Sequence, residues 1–481
     1  MALDEKILSK IAADKLGFFR FRKLDAVFLL ANETGRFEFL EENEFEQFLS
    51  GALPDTNPVF KALTAKGFLR AGENLDELKK QWLSRNAFLG QGPGLHIMVV
   101  TLRCDHRCVY CHAGAHKSDA GCDMSRETAR RVVDIIFSAP GKNLGIEFQG
   151  GEPLLNWPVV RFTVEYAAKK ERETGKSAQI SLVTNMSLMD GDKLDFLLKN
   201  NVSLCTSLDG PERLHNANRV LSRGDSHANT VKWFKLIAER GKQPIGALLT
   251  VTKASLPLHR EIVDEYINIG AQNVFLRFLS PLGAARQTWA KIGYTAGEFL
   301  EFYAKALDYI IDRNLGGAAL SESTATLFLS RIMSDVPDNF LDLRSPCGAG
   351  IGQIAYNYDG KVFTCDEGRM LHEMGDASFC IGDADKDDYG EIVSHPAVAC
   401  MATASCLEAQ SLCPDCVYKP YCGVCPVLNY AAGNDLYAHP GNMRCEIYKG
   451  ILDIIFKRIR TERGRQVFTR WLEPRGIAWR D

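Results

Sequence analysis

The chain has 481 residues, enough for two or three domains, and its hydrophobic content of 46% and charged content of 24% are those of an ordinary globular protein. Its net charge of −3 argues against a general role in binding nucleic acids or membrane surfaces, and no long apolar run predicts a transmembrane helix. Fifteen cysteines without a recognisable secretory signal favour metal or redox chemistry in the cytoplasm over a disulfide framework.

Residues 1–92 predict a small α+β domain. Two short strands around a turn at Asn32–Gly35 are expected within VFLLANETGRFEFL, and two helix-like stretches follow, EENEFEQFLSG and NPVFKALTAKGFL. A hairpin followed by short helices resembles the peptide-recognition domains that are fused to many peptide-modifying enzymes. The alternative is a small packing domain without a function of its own.

Residues 93–315 alternate between strand and helix patterns. The clearest helix follows Ser125, because the apolar residues from Ala129 to Phe137 repeat at helical spacing; another opens near Pro257 and ends at Gly270. Six such repeats predict parallel strands with right-handed crossovers and therefore a partial (β/α)6 barrel, an α/β fold. The six strand candidates are LHIMVVTL, NLGIEFQGG, QISLVTN, VSLCTSLDG, IGALLTVT and VFLRFLSP.

Three further regions complete the predicted organisation. Residues 316–346 read as a helical connector, and residues 347–450 as a cysteine-rich domain. The tail, residues 451–481, reads as helical and basic. A solvated helix face is one account of its charge, and docking of a partner is the other.

The first barrel strand leads into three closely spaced cysteines, Cys104, Cys108 and Cys111. Three thiolates on one loop can bind three corners of a four-iron cluster and leave the fourth iron open. Structural zinc is the alternative, but it needs four ligands, and no fourth cysteine lies next to this trio. The spacing C-x3-C-x2-C, with Tyr110 before the last cysteine, resembles the [4Fe-4S] cluster loop of radical S-adenosylmethionine (SAM) enzymes. That resemblance implies a SAM molecule bound to the open iron and cleaved to a 5′-deoxyadenosyl radical.

The second strand ends in FQGGEP, with Gly150, Gly151 and Glu152. Glycines let the backbone approach a ligand closely, and Glu152 offers a carboxylate to a ligand ammonium. Alone, GGEP is also an ordinary strand-ending turn. Together with the cysteine trio it resembles the radical SAM motif that holds the methionine amino group.

The fourth strand ends in SLDGPERLHNANR, which resembles a stretch typical of peptide- and protein-modifying radical SAM enzymes. The likeness implies that Ser207 and Arg219 help to hold SAM, that Asp209 lies near its ribose, and that the Tyr110 backbone lies against the adenine edge. The alternatives are a simple turn at Asp209–Gly210 and a surface cation at Arg219.

The cysteine-rich region resembles the SPASM domain, which holds two auxiliary [4Fe-4S] clusters in radical SAM enzymes. Zinc is the alternative, although zinc sites usually separate their CxxC pairs by a dozen or more residues rather than five. The resemblance implies one set of ligands for the first auxiliary cluster, Cys347, Cys365 and Cys425, and another for the second, Cys413, Cys416, Cys422 and Cys445.

Two features depart from the family pattern. Only two residues separate Cys422 from Cys425, where three are common, and no cysteine lies between Cys347 and Cys365. The first auxiliary cluster is therefore expected to have an open iron or another ligand, with three further cysteines as candidates, Cys380, Cys400 and Cys406. Asp366 resembles the general base of sulfatase-maturing relatives, where it accepts a proton as the substrate radical is oxidised; a carboxylate in a turn is the alternative.

The whole pattern looks most like the maturases of His-Xaa-Ser repeat peptides. It implies an enzyme that modifies a ribosomally made precursor peptide by crosslinking or oxidation, with flavodoxin or ferredoxin as electron donor. The nearest alternative is an anaerobic sulfatase maturase, which forms formylglycine from a protein Cys or Ser. An alternative of another class is a non-catalytic zinc-binding peptide scaffold.

Overall fold

The computed structural model describes residues 11–114, 120–241, 245–335, 340–437 and 442–480. Most of the amino-terminal stretch in which we looked for a secretory signal lies outside these ranges. Within them, no helix has the length and apolarity needed to cross a lipid bilayer.

The amino-terminal region is a three-stranded antiparallel sheet followed by three helices. The predicted hairpin forms between two of the strands, and sequence analysis missed the third because its five residues, RFRKL, carry three cations. The strands are β1 (Arg20–Leu24), β2 (Val27–Ala31) and β3 (Phe37–Glu41), in the order β1-β2-β3. The helices are Glu42–Leu49, Pro58–Ala65 and Leu75–Arg85.

Both faces of β2 are buried, because successive side chains point to opposite sides of a sheet. Phe28 and Leu30 pack with Phe45 and Phe68 in a core of this region alone. Val27 and Leu29 face the other way, into the main core of the molecule. The amino-terminal sheet is therefore packed onto the rest of the chain.

The six predicted barrel strands all form, and they lie side by side in chain order. Each pairs in parallel with the next, as six βα repeats require. Strands here are numbered along the chain, and the barrel strands are β4 (Leu95–Val99), β6 (Asn143–Gln149), β7 (Ser177–Val183), β8 (Ser203–Ser207), β10 (Gly246–Thr250) and β11 (Asn273–Arg277).

Helices follow the barrel strands in turn. The helix predicted after Ser125 begins there, with the Ser125 side chain accepting a hydrogen bond from the Thr128 amide at 3.0 Å. The helix expected near Pro257 starts as a 3-10 turn and ends before Gly270. Gly270 has a φ of 78°, a left-handed conformation that a residue without a Cβ adopts readily. The helices of this region are Arg126–Ser138, Trp157–Thr174, Gly191–Lys199, Glu212–Asn218, Ser226–Arg240, His259–Asn268 and Ala284–Ile292.

The sheet extends beyond the six predicted strands at both edges, which gives ten strands among the residues described. Next to β11 lies the short parallel strand β12 (Ser321–Glu322), within the stretch expected to be a helical connector. Next to β4 lie β13 (Gln353–Tyr356), parallel, and then two antiparallel strands, β14 (Lys361–Phe363) and β15 (Cys380–Asp383). The cysteine-rich region thus continues the barrel sheet.

The remaining helices lie within the cysteine-rich region or on either side of it along the chain. The helix Met443–Ile459 runs through residue 450, where we expected the tail to begin, and buries one face that includes Ile451 and Phe456. Arg458 on its other side pairs with Asp308 at 2.6 Å. The helices are Ala296–Leu315, Ser323–Met333, Asp366–His372, Tyr389–Val393, Pro396–Ser405, Pro426–Gly433, Met443–Ile459 and Glu462–Leu472.

Candidate functional site

The cysteine trio lies on the loop after β4, at the carboxyl end of the parallel sheet. A short strand in this loop, β5 (His106–Cys108), pairs antiparallel with β9 (Arg219–Leu221), and Cys108 is directly opposite Arg219. All three thiols are half-buried. Burial raises the pKa of the Cys108 thiol to about 11, and the Arg219 charge opposes that rise. The fold thus places a cation beside a thiol that must ionise to bind a metal.

Gly150 and Gly151 bring the end of β6 against this loop. A Cβ on Gly150 would lie 2.2 Å from the carbonyl oxygen of Thr101, and one on Gly151 would lie 2.1 Å from that of Arg103. The amides of Gly151 and Glu152 donate to those same oxygens, both at 2.8 Å. We expected the glycines to let a ligand approach the backbone. In the structure, the absence of their side chains leaves room for the backbone of the cysteine loop.

The Glu152 carboxylate is fully buried beneath the cysteine loop. It accepts hydrogen bonds from the amide of Leu154 at 2.9 Å, the hydroxyl of Thr184 at 2.7 Å and the amide of Asn185 at 2.8 Å. Burial nevertheless raises its pKa to about 7. An ionised carboxylate offers about four acceptor positions, so one of them remains for a further donor such as an ammonium.

Asn185, at the end of the next strand, is a site residue that sequence analysis did not single out. Its side-chain amide donates to Asp105 at 2.8 Å and lies 3.9 Å from the Cys104 sulfur. Burial would raise the pKa of Asp105, but hydrogen bonds from His106, Ser187 and Asn185 lower it to about 2. The only sequence signal for this residue was its place at the carboxyl end of a predicted barrel strand.

Tyr110, Asp209 and Arg219 form one hydrogen-bonded group behind the cysteine loop. The Tyr110 hydroxyl lies 2.8 and 2.6 Å from the two oxygens of Asp209, and Arg219 donates to that hydroxyl at 3.1 Å. Asp209 is fully buried, and burial raises its pKa. Ser207 ends β8 and is half-buried. The contacts of Asp209, which we expected near a ribose, are therefore with the cysteine loop through Tyr110.

The cysteines of the carboxyl-terminal region separate into two groups in space. In the first group, the charges of Cys347 and Cys425 act on the buried Cys365 thiol, and all three sulfurs belong to one apolar cluster with Met401 and Val427. Cys400 is exposed, and Cys380 packs in a different cluster with Cys122. Cys347, Cys365 and Cys425 are the three cysteines that the resemblance implied for the first auxiliary cluster.

The second group lines a cavity beside the helix Met443–Ile459. The charges of Cys413, Cys416 and Cys445 act on the Cys422 thiol, whose pKa burial raises to about 12. All four thiols line this cavity, together with Arg444, Tyr448 and Lys449. They are the four cysteines that the resemblance implied for the second auxiliary cluster.

The spacing of these thiols bears on the choice between one ion and a cluster. Within the ranges described, no three His, Cys, Asp or Glu side chains converge closely enough to hold a single metal ion. A four-iron cluster takes each thiolate on a different iron, and it therefore needs them farther apart than a single ion does.

Buried arginines around the two cysteine groups provide a further test of fit. The Nε atoms of Arg85, Arg331 and Arg344 are buried without a hydrogen-bond partner among the residues described. Burial lowers the pKa of Arg331 to about 9 and of Arg344 to about 10, and the nearby Cys422 and Cys347 oppose those shifts. Buried cations need anions close by, and thiolate-bound iron clusters are anionic. The residues present therefore fit such clusters.

Asp366 begins the helix Asp366–His372, next to Cys365, and forms a buried ion pair. Its carboxylate accepts from the Nε of Arg369 at 2.7 Å, and the side chains are 9% and 1% exposed. Arg369 also donates to the carbonyl oxygen of Ala113 at 3.2 Å. This ion pair therefore links the Cys365 region to the segment that follows the cysteine trio.

Comparison with known sequences identifies the barrel. Residues 98–269 match the radical SAM superfamily. The radical SAM cyclopropyl synthase TigE of Paramaledivibacter caminithermalis is 23% identical over 380 residues, which cover 75% of this chain and 73% of that protein. A cysteine-type anaerobic sulfatase-maturating enzyme of Clostridium perfringens is 24% identical over 274 residues, which cover 55% of this chain and 71% of that enzyme.

Two solved structures share the fold. Native anSMEcpe with bound AdoMet has a TM-score of 0.66 and 19% identity, covering 77% of this chain and 100% of that one. Streptococcus suis SuiB bound to the precursor peptide SuiA has a TM-score of 0.54 and 16% identity, covering 89% and 99%. At these identities the likeness shows the fold alone. Residues 98–269 match the radical SAM superfamily, a likeness that implies SAM and a [4Fe-4S] cluster, and the chain is similar to a radical SAM cyclopropyl synthase and to an anaerobic sulfatase-maturating enzyme.

Proposed function

We propose that this chain is a radical SAM peptide maturase that crosslinks or oxidises residues of a ribosomally made peptide. One observation carries the proposal: three half-buried thiols and the buried Glu152 meet at the carboxyl end of the barrel strands, where barrel enzymes place their chemistry. When bound, the cluster and SAM supply an organic radical that removes a hydrogen atom from the substrate.

In this proposal the trio Cys104, Cys108 and Cys111 binds the cluster. Glu152 would accept the methionine ammonium at its remaining acceptor position, and Ser207 and Arg219 would assist with the methionine carboxylate. Tyr110 and Asp209 support the loop from behind, because their hydroxyl and carboxylate are bound to each other.

The two carboxyl-terminal cysteine groups would each hold one auxiliary [4Fe-4S] cluster, and a reduced flavodoxin or ferredoxin would supply electrons. The separation of the seven thiols into a group of three and a group of four supports this assignment. Asp366 would accept a proton as the substrate is oxidised, and Arg369 would hold it in place beside Cys365.

A groove along β1 supports a peptide as the partner. Residues 18–23 line one side of it, and Leu412 with residues 415–418 line the other. β1 is the last strand of its sheet among the residues described, so its outer backbone groups can pair with an added peptide strand. Phe18 is 59% exposed at this groove. SuiB, which has the same fold, was solved with a precursor peptide. The maturases of His-Xaa-Ser repeat peptides are the subfamily that we propose.

The test uses the anaerobically reconstituted enzyme with its electron donor. We expect about twelve iron atoms per chain, four for each of three clusters, and formation of deoxyadenosine from SAM. A short peptide encoded beside this gene should then change mass when it is added. Phe18→Ala should weaken binding of that peptide and leave SAM cleavage unchanged. Zinc without sulfide would instead indicate the scaffold without catalytic activity.

The second candidate is a sulfatase maturase. It is favoured by the carboxylate of Asp366 next to Cys365 and by the likeness to the cysteine-type anaerobic sulfatase-maturating enzyme. Incubation with a peptide that carries the sulfatase motif separates the candidates. An aldehyde product that reacts with a hydrazine probe would favour the sulfatase maturase, whereas an unchanged sulfatase peptide and a crosslinked precursor peptide would favour the first proposal.

A further inference from the structure

Arg444 lies between the two carboxyl-terminal cysteine groups. One guanidinium nitrogen donates to the carbonyl oxygen of Gly423 at 2.9 Å, and another donates to that of Asp342 at 3.0 Å. Its guanidinium carbon lies 4.4 Å from the centre of the Tyr448 ring. These three contacts fix both the position and the plane of the guanidinium group.

The charge of Arg444 acts on thiols of both groups, Cys347 and Cys425 in the first and Cys422 in the second. The carbonyl oxygen of Gly423 that accepts from Arg444 belongs to the short segment that joins Cys422 to Cys425, so the guanidinium group is held next to both groups. The side chain also lines both the cavity at the second group and a neighbouring cavity that contains Asp342 and Glu367. Arg444 is therefore shared by the two groups.

The hydrogen bonds of Arg444 end on carbonyl oxygens, which carry no net charge. A cation shielded from water is costly unless an anion lies close by. The charge of Asp342 acts on Arg444, and thiolate-bound clusters on either side would add to that negative charge. In turn, a fixed positive charge beside a cluster stabilises the added electron and raises the reduction potential, which depends on the net charge and hydrogen bonding around the cluster.

We propose that Arg444 is a positioning residue that raises the reduction potentials of both auxiliary clusters at once. The inference rests on the auxiliary clusters of the proposed function. It assigns one side chain to the electrostatic coupling of the two sites, so that a single substitution changes both potentials in the same direction.

The experiment is a redox titration of the intact holoenzyme, followed by electron paramagnetic resonance, with iron and sulfide measured on each sample. Arg444→Met should shift the potentials of both auxiliary clusters to more negative values and leave that of the SAM-binding cluster unchanged. Arg444→Lys keeps the charge and should shift both potentials less. Intact clusters with unchanged potentials in Arg444→Met, or a shift in only one of them, would overturn the inference.

Two matched variants test the geometry. Lys449 acts on Cys413 and Cys416, so Lys449→Gln should lower only the potential of the second cluster. The negative charge of Asp342 acts on Cys347 and Cys425, so Asp342→Asn should raise only that of the first. Asp342→Asn keeps the backbone carbonyl oxygen of this residue, so its hydrogen bond from Arg444 is retained.

If the Arg444→Met protein loses iron, Arg444→Gln is measured in its place, because the glutamine side chain keeps an amide donor. Loss of both clusters in the Met and Gln variants, with both retained in the Lys variant, would support a shared requirement for the charge. Loss in all three would contradict it, because shape rather than charge would then be decisive. A wild-type enzyme with only about four iron atoms would instead refute the proposed function itself.

Discussion

The Tyr110 hydroxyl lies within 2.8 Å of both oxygens of Asp209, which joins the cysteine loop to the end of the fourth barrel strand. Both groups are buried, and Arg219 donates to the same hydroxyl. Because Arg219 is also opposite Cys108 in the β5–β9 ladder, this hydrogen-bonded group positions the loop that carries the trio.

Tyr110→Phe leaves the buried Asp209 carboxylate without its hydroxyl donor. We expect the free energy of unfolding to fall by about 1–3 kcal/mol, measured by urea denaturation under anaerobic conditions. Asn218 and Thr250 still interact with Asp209, but the loss of a buried hydrogen bond to a charged group costs about that much. Tyr166→Phe is the matched control, because Tyr166 donates to Asp134 at 3.0 Å in a partly exposed setting. An equal loss in both variants would contradict the role given to burial.

The pKa of Glu152, which burial raises to about 7, predicts pH-dependent binding of SAM. Only the ionised carboxylate attracts the ammonium, so SAM affinity should rise as the pH increases through 7. Isothermal titration of wild-type enzyme and Glu152→Gln at several pH values measures this, and the dependence should disappear in the variant. Glu147→Gln, on the strand β6 that leads to Glu152, is the control and should keep the wild-type dependence.

The same group predicts a change in stability without SAM. The folded-state pKa lies above the ordinary value of 4.5, so the folded protein binds a proton that the unfolded chain releases. The stabilisation from Glu152 is therefore complete below about pH 4.5 and is lost as the pH rises through 7. Thermal unfolding of the ligand-free protein should show this loss, and Glu152→Gln should reduce it. A wild-type profile that rises over this range relative to the variant would contradict the assignment.

The ion pair between Asp366 and Arg369 predicts a large penalty when one partner is removed. Arg369→Met leaves a buried carboxylate unpaired and should lower the free energy of unfolding by about 3–5 kcal/mol. The double variant with Asp366→Asn should recover part of that loss in urea denaturation. If Asp366 accepts the substrate proton, Asp366→Asn alone should form deoxyadenosine while product falls sharply. Normal product formation would remove Asp366 from the proposed mechanism.

Cysteine substitutions separate the three proposed clusters. Cys108→Ala should lower the iron content by about four atoms and reduce deoxyadenosine formation to background. Cys422→Ala should lose a similar amount of iron and keep measurable SAM cleavage. Cys400→Ser is the control for both, since the Cys400 side chain is exposed and should leave iron content and activity unchanged. Full SAM cleavage by Cys108→Ala would refute the trio as the cluster site.

The sequence predicted the six barrel strands because each has a compact apolar run followed by a helix with regular apolar spacing, and the structure confirms them. It did not predict β1, which exists because β2 pairs with it, or β13–β15, which continue the sheet beyond β4. Such pairings depend on contacts between distant residues. Local spacing carries no information about them.

By itself the sequence determined the fold class and the cysteines that we propose as iron ligands, because strand periodicity and the spacing of cysteines along a loop are local properties of the chain. Only the tertiary structure decided which polar and charged groups interact with one another. It placed Asn185 next to Cys104, bound Asp209 to Tyr110, and brought the charge of Arg444 close enough to act on both Cys422 and Cys425. The physical reason is that electrostatic and hydrogen-bonding interactions depend on distance in space, and folding brings together residues that lie tens or hundreds of positions apart.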